Sequence, residues 1–225
     1  MPRFRRLVVP GHPHHVTQRG VRRQATFFDE HDYRLYRRLA TEILQRASLK
    51  ILAYCLMPNH IHAVVVPEDR HSLAKFFGPL HKRYAQFTNH RYEWTGHLWQ
   101  ARFFSVVMDE RHTLAAMRYV ERNPVRSGLV EAPEDWPWSS VRRHLGMADD
   151  PLVDDTATDM LGSDWRNYVR AREDGGELDS LRRQTGTGRP GGEPDFIAAI
   201  ERISGRKIRP QRAGRKKGNP NLDTE

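Results

Sequence analysis

Lys50-Ile51-Leu52-Ala53-Tyr54-Cys55-Leu56-Met57-Pro58-Asn59-His60-Ile61-His62-Ala63-Val64-Val65-Val66 is an apolar run broken once, at Pro58-Asn59. Lys50 to Met57 reads as one strand, His60 to Val66 as a second, and the dipeptide between them as a tight turn, so the segment is a hairpin. Side chains of a strand alternate between faces. His60 and His62 therefore share one face with Cα atoms about 6.5–7 Å apart, while Ile61, Ala63 and Val65 share the other. Two imidazoles so placed can reach one metal ion. Two polar residues ending a strand beside a turn is the plainer alternative, and the pair alone names no reaction.

Outward from the hairpin the periodicities alternate. His14 to Arg19 reads as a short strand ending at Gly20. From Asp29 to Ala47, Leu35/Tyr36, Leu39/Ala40 and Ile43/Leu44 recur at three and four residues, the mark of an amphipathic helix. Leu73, Phe77, Leu80, Tyr84 and Phe87 give a second helix, which Gly78-Pro79 is expected to kink or interrupt. Arg102 to Met108 is β-rich, and Asp109 is placed to cap a third helix over Glu110 to Asn123, stopped by Pro124. This order predicts an α+β fold, with helices against an antiparallel sheet.

The chain has 225 residues and a formal charge of 37 − 28 = +9 with its 12 histidines neutral, a balance that suits a polyanionic partner. Its lone cysteine, Cys55, excludes an intramolecular disulfide and a Cys-rich zinc site. The apolar run Leu7-Val8-Val9 is too short for a signal sequence, and no stretch approaches a membrane span. The expectation is a soluble, basic, cytoplasmic protein without a membrane partner. Residues 1–146 are drawn as the core. Residues 147–225 are drawn as an extension ending in a basic, largely irregular tail, with one short helix from an Asp195 N-cap to Ile203.

Tyr119 and Asn123 are four residues apart and share a helix face, with the small Ala115 and Ala116 one turn behind. Asn123 offers an oxygen that could complete a site begun by the two histidines. A helix tyrosine among Leu114, Met117 and Val120 can equally be core. The Asp-His that follows such a histidine pair in metallo-hydrolases is missing after His62, as is the spaced Glu and glycine of a cupin.

Three segments converge on a known family. Met57-Pro58-Asn59-His60-Ile61-His62, Gly96-His97-Leu98-Trp99-Gln100-Ala101-Arg102-Phe103 and Tyr119-Val120-Glu121-Arg122-Asn123-Pro124-Val125-Arg126-Ser127-Gly128-Leu129-Val130 resemble the single-tyrosine HUH transposases. The branch they are most similar to is the REP-associated tyrosine transposases. His15-Val16-Thr17-Gln18-Arg19-Gly20 and Trp136-Pro137-Trp138-Ser139-Ser140 support it, and the resemblance runs over about residues 10–146 in family order.

The resemblance implies an HUH, ferredoxin-like antiparallel sheet with flanking helices. It also implies a DNA endonuclease and strand-transferase acting on single-stranded DNA hairpins resembling REP palindromes. His60 and His62, with Asn123 as a third ligand, would hold Mg²⁺ or Mn²⁺. Tyr119 would be the nucleophile, forming a 5′-phosphotyrosine and a free 3′-hydroxyl without ATP. No P-loop is present, so no nucleotide cofactor is expected. Monomeric action is favoured over a homodimer.

Phosphate and base contacts are expected from His15, Arg19, Arg22, Arg23, Trp99, Arg102, Arg118, Arg122 and Arg126. In the tail they are expected from Arg206, Lys207, Arg209, Arg212, Arg215, Lys216 and Lys217. The alternatives are a hairpin-binding protein without catalysis and a metallonuclease that uses water.

Overall fold

The computed structural model describes residues 6–162, 164–171 and 189–209. Four strands form one sheet: β1 (His14–Arg19), β2 (Leu49–Met57), β3 (His60–Pro67) and β4 (Phe104–Val107), in the order β2-β3-β1-β4. Each neighbouring pair is antiparallel. The hairpin is β2–β3, with Met57 opposite His60 and Cys55 opposite His62. Across the other edge of β3, Arg19 pairs with His60 and Thr17 with His62, so one face of the sheet carries both histidines and the odd positions of β1.

Helices α1 (Glu30–Leu44) and α2 (Ser72–Arg91) cover the opposite face. Asp29 caps α1 by accepting from Asp32 N at 3.1 Å, as its position before the apolar repeat implies. Ile61 and Ala63 of β3 line one small gap with Tyr36 of α1 and Phe76, Phe77 and Leu80 of α2. The break expected at Gly78-Pro79 does not interrupt α2, which runs through both residues as one helix. A proline inside a helix costs about 3 kcal/mol. Burying Phe76, Phe77, Leu80 and Tyr84, each about 2% exposed or less, contributes about 2 kcal/mol apiece and outweighs it.

Helix α3 (Glu110–Glu121) packs on β2 and β3 from the histidine face. Its N-cap is Asp109, whose carboxylate accepts from His112 N at 2.8 Å. Pro124 does not stop the helical path at Asn123. After the junction at Arg122 the chain makes a further turn, α4 (Asn123–Arg126), because a proline in a first turn has no hydrogen bond to forfeit.

Packing continues past residue 146, the edge of the core expected from the sequence. The 136–140 segment runs along the outer side of β2, with Leu56 N donating to Trp138 O at 2.9 Å and Ser140 N to Tyr54 O at 3.0 Å. It thereby covers a sheet edge that would otherwise be open. α5 (Val141–His144), α6 (Asp155–Met160) and α7 (Trp165–Arg170) follow, and Leu152, Val153, Ala157, Trp165 and Val169 join the main core. Helix α8 (Pro194–Ser204) is the short tail helix, capped at Glu193 rather than Asp195. It docks through Ile200 on Leu7, Val9 and Val107. No helix among the described residues is long and apolar enough to cross a membrane.

Candidate active site

The register puts His60 and His62 on the face that α3 covers; α3 brings Tyr119 to them, and α4 directly after it brings Asn123. The Tyr119 ring meets His62 edge-on with centroids 5.5 Å apart, and the two histidine rings are 4.9 Å apart. Asn123 completes the group, its Nδ2 lying 3.3 Å from His60 Nε2. Tyr119 is half-buried, and its hydroxyl has no hydrogen-bond partner among the described residues. The phenol is thus neither sealed in the core nor turned away from the histidines.

Each imidazole is fixed through its Nδ1. His62 Nδ1 lies 2.9 Å from His15 Nε2, and His60 Nδ1 lies 2.6 Å from Asn59 Oδ1. Both rings therefore keep Nε2 as the nitrogen available to a ligand. Burial, then the charges of Arg19 and Arg126, lower the His60 pKa to about 4. Burial drives His62 well below its ordinary value, with smaller contributions from His15 and His60. Both rings are neutral at physiological pH, the form that binds metal.

Two neutral imidazoles and an amide able to rotate its oxygen inward fit a divalent ion that also takes oxygen ligands from a substrate. No group of three or more His, Cys, Asp or Glu side chains suited to a metal is found among the described residues. The polar side chain nearest the two imidazoles at this place is the Asn123 amide.

Two cations flank the group. Arg126 lies over the Tyr119 ring, its Cζ 4.0 Å from the centroid, and donates to Tyr119 O at 3.1 Å. Arg19 is exposed at the end of β1, opposite His60.

The other expected DNA contacts divide. Arg22 and Arg23 are exposed on the turn Val21–Arg23, and Arg102 is exposed beside a groove of about 750 Å³ that Arg6, Gln18 and Lys82 also line. His15 is 2% exposed and spends itself on His62, so it is a support for the histidine pair and not an entrance residue. Arg118 is buried, donates to Ala171 O at 2.8 Å and stacks on Tyr168. Arg122 donates to the carbonyls of Val169 and Arg170. Both guanidiniums serve the carbonyl end of α7, where cations are stabilising, and not an open surface.

Trp99 is anchored by an indole bond to His81 O at 3.0 Å and packs against His81 and Tyr84. In the tail, Arg206 donates to Arg6 O and Arg209 to Pro194 O, while Lys207 is exposed. Arg212, Arg215, Lys216 and Lys217 lie outside the described residues.

Two supports went unnoticed in the sequence. Asn59 looks like a turn residue, and only its place directly before His60 hints at a second role. Glu121 is the other. Fully buried, it accepts from Ser140 Oγ at 2.7 Å, His144 Nδ1 at 2.5 Å and Trp165 Nε1 at 3.1 Å. It ties the helix that carries Tyr119 to the segments after it.

A phenol and a neutral histidine pair are thus brought together on an antiparallel sheet. The family described as "Transposase IS200 like" matches residues 9–123, just over half of the chain. The chain belongs to this family of transposases. A Haemophilus influenzae protein assigned to the REP-associated tyrosine transposases is 33% identical over 106 residues, 42% of this chain. This chain spans 60% of that relative's length. An Escherichia coli K12 REP-associated tyrosine transposase is 24% identical over 118 residues, covering 50% of this chain and 67% of the relative. A solved REP-associated tyrosine transposase, described as bound to a REP hairpin, superposes with a TM-score of 0.56 at 20% identity. It covers 68% of this chain and 98% of its own, a likeness that shows the shared fold.

Proposed function

We propose that this chain cleaves and rejoins single-stranded DNA at hairpins resembling REP palindromes, through a covalent bond to Tyr119. The observation that carries the reading is the meeting of the Tyr119 ring with His62 at 5.5 Å while the phenol oxygen has no hydrogen-bond partner among the described residues. Tyr119 Oη attacks the scissile phosphorus, a P–Oη bond forms, and the P–O3′ bond breaks. The phenol gives up its proton and the departing 3′-oxygen takes one, leaving a 5′-phosphotyrosine and a 3′-hydroxyl. The reverse attack rejoins the strand, with no nucleotide consumed.

His60, His62 and Asn123 are the residues that would hold Mg²⁺ or Mn²⁺. When bound, the ion supplies Lewis acidity toward a non-bridging phosphate oxygen. Arg126, against the Tyr119 ring, and Arg19, opposite His60, offset the negative charge of the same phosphate. The relatives' names and the charge of +9 support a DNA hairpin as substrate, and a bacterial nucleoid as the place of action. The proposed working unit is the monomer.

The test is incubation with Mn²⁺ and a hairpin-bearing single strand, followed by a denaturing gel. A covalent protein–DNA band that Tyr119→Phe abolishes is the expected result. Free 5′-phosphate product surviving Tyr119→Phe would identify a water-using metallonuclease. Binding without cleavage in either metal would identify a hairpin-binding protein without catalysis.

A further inference from the structure

We propose that the cleft between the Val21–Arg23 turn and the 94–98 loop seats an unpaired nucleobase of single-stranded DNA. The inference rests on the reading of the chain as a single-strand DNA enzyme and gives it a second contact, away from the tyrosine. The cleft holds about 610 Å³, and its walls include Arg22, Gln24, Phe28, Asn89, Trp94 and His97, with no acidic residue among those lining it.

Large aromatic rings are normally withdrawn from water. Here Phe28 is 39% exposed and Trp94 47%. They meet with centroids 5.4 Å apart, and Tyr92 lies 4.7 Å from Phe28 and 5.1 Å from Trp94. Behind them Arg91 stacks on Tyr92 and is held by ion pairs to Asp29 and Asp32. The result is an aromatic platform, open on the side of the cleft.

The platform is built firmly. Phe28 N donates to Asp32 Oδ2 at 2.8 Å and Trp94 N to Asn89 O at 2.8 Å. Asn89 Nδ2 donates to Gly96 O at 3.0 Å, and Val21 N to Leu98 O at 2.9 Å. Three non-glycine residues around the cleft, Arg22, Arg23 and Glu93, hold left-handed backbone with φ of 52°, 62° and 55°. Such conformations are costly for side chains with a Cβ and persist where the surroundings impose them.

The chemistry of the walls chooses the occupant. Stacking rings accept any base, whereas Gln24 and Asn89 offer amide donors and acceptors to a base edge. Arg22 and Arg23 are exposed and have no ion pair among the described residues, so they are open to phosphates. The cleft is also coupled to the tyrosine site. Asn59 Nδ2 donates to Arg23 O at 3.0 Å, and its Oδ1 is the atom that holds His60 Nδ1.

The experiment is fluorescence anisotropy of the full chain with a fluorescein-labelled dT octamer and an abasic octamer of equal charge. The wild type is expected to bind the dT octamer about ten-fold more tightly. The Phe28→Ala/Trp94→Ala double variant should lose that advantage with abasic binding unchanged, and Trp94→Phe should retain most of it. Equal wild-type affinity for the two octamers overturns the proposal, as does an unaltered dT affinity in the double variant. The readout is independent of cleavage. Loss of the Tyr119 adduct in the wild type would sink the enzymatic reading and leave this measurement standing, and the reverse holds for equal octamer binding.

Discussion

His15 Nε2 stands 2.9 Å from His62 Nδ1, and the two rings are stacked with centroids 5.1 Å apart. The pair joins β1 to β3 diagonally, because His62 lies opposite Thr17 and His15 two residues further along the same face. For His62 to offer Nε2 to an ion, its Nδ1 must carry the proton and donate it to His15. His15 is itself neutral, since burial lowers its pKa to about 4. It is therefore an acceptor able to fix the His62 tautomer.

His15→Ala removes that acceptor without touching the ligand set. Partners of this kind are worth roughly 10–100-fold in metal affinity. Mn²⁺ titration followed by electron paramagnetic resonance should show a loss of that order, with His15→Gln recovering part of it. Unchanged Mn²⁺ affinity in His15→Ala would remove His15 from the site.

The arginines divide into two groups that one measurement separates. Arg19, Arg22 and Arg23 are exposed, whereas Arg118 and Arg122 are spent on the carbonyls of Val169, Arg170 and Ala171. Each phosphate contact on a single strand adds about 0.7 to the slope of log affinity against log salt. Arg22→Ala/Arg23→Ala should lower that slope by about 1–1.5. Arg118→Met should leave the slope alone and lower the urea midpoint instead. A reduced slope in Arg118→Met would mean that α3 turns this residue toward DNA.

The hairpin, the capped helices and the Tyr119–Asn123 spacing were legible because each is local: an alternation, a cap, a four-residue step. The family's residue pattern then brought the two halves of the site together. His15 was misread because nothing local distinguishes a buried strand histidine from an exposed one, and its partner is 47 residues away. Trp99 and Trp94 illustrate the same limit. They lie five positions apart in one loop, yet the indole of one is bonded to His81 O while the other faces solvent. The edge of the core was hidden too, because the 147–162 stretch is polar in composition and buries only isolated residues such as Leu152, Val153 and Ala157.

Glu121 accepts three side-chain donors inside the protein, from Ser140, His144 and Trp165. Replacing it by leucine leaves all three donors buried without that acceptor. Losing one partner of such a buried set costs about 3–5 kcal/mol. Glu121→Leu should lower the unfolding free energy by about that amount in urea, and Glu121→Gln, which keeps an acceptor, by less. Equal stability of Glu121→Leu and wild type would show the network to be dispensable.

Acid should weaken the fold before the carboxylates titrate. His14 accepts from Val9 N at Nε2 and faces His12 O through Nδ1, so its neutral form is fixed, and burial lowers its pKa from 6.5 to about 4. His81, beside Tyr36 OH at 3.1 Å, is lowered by burial to about 3. Between those values and 6.5 the unfolded chain takes up protons that the folded chain refuses, so stability falls as pH drops through that window. Above 6.5 neither state is protonated at these rings and the effect vanishes. One such group contributes about 2 kcal/mol of loss between pH 7 and pH 5. Urea midpoints at the two pH values should differ accordingly, and His81→Gln should shrink the difference. A midpoint independent of pH over this interval would mean that these rings are not buried in their neutral form.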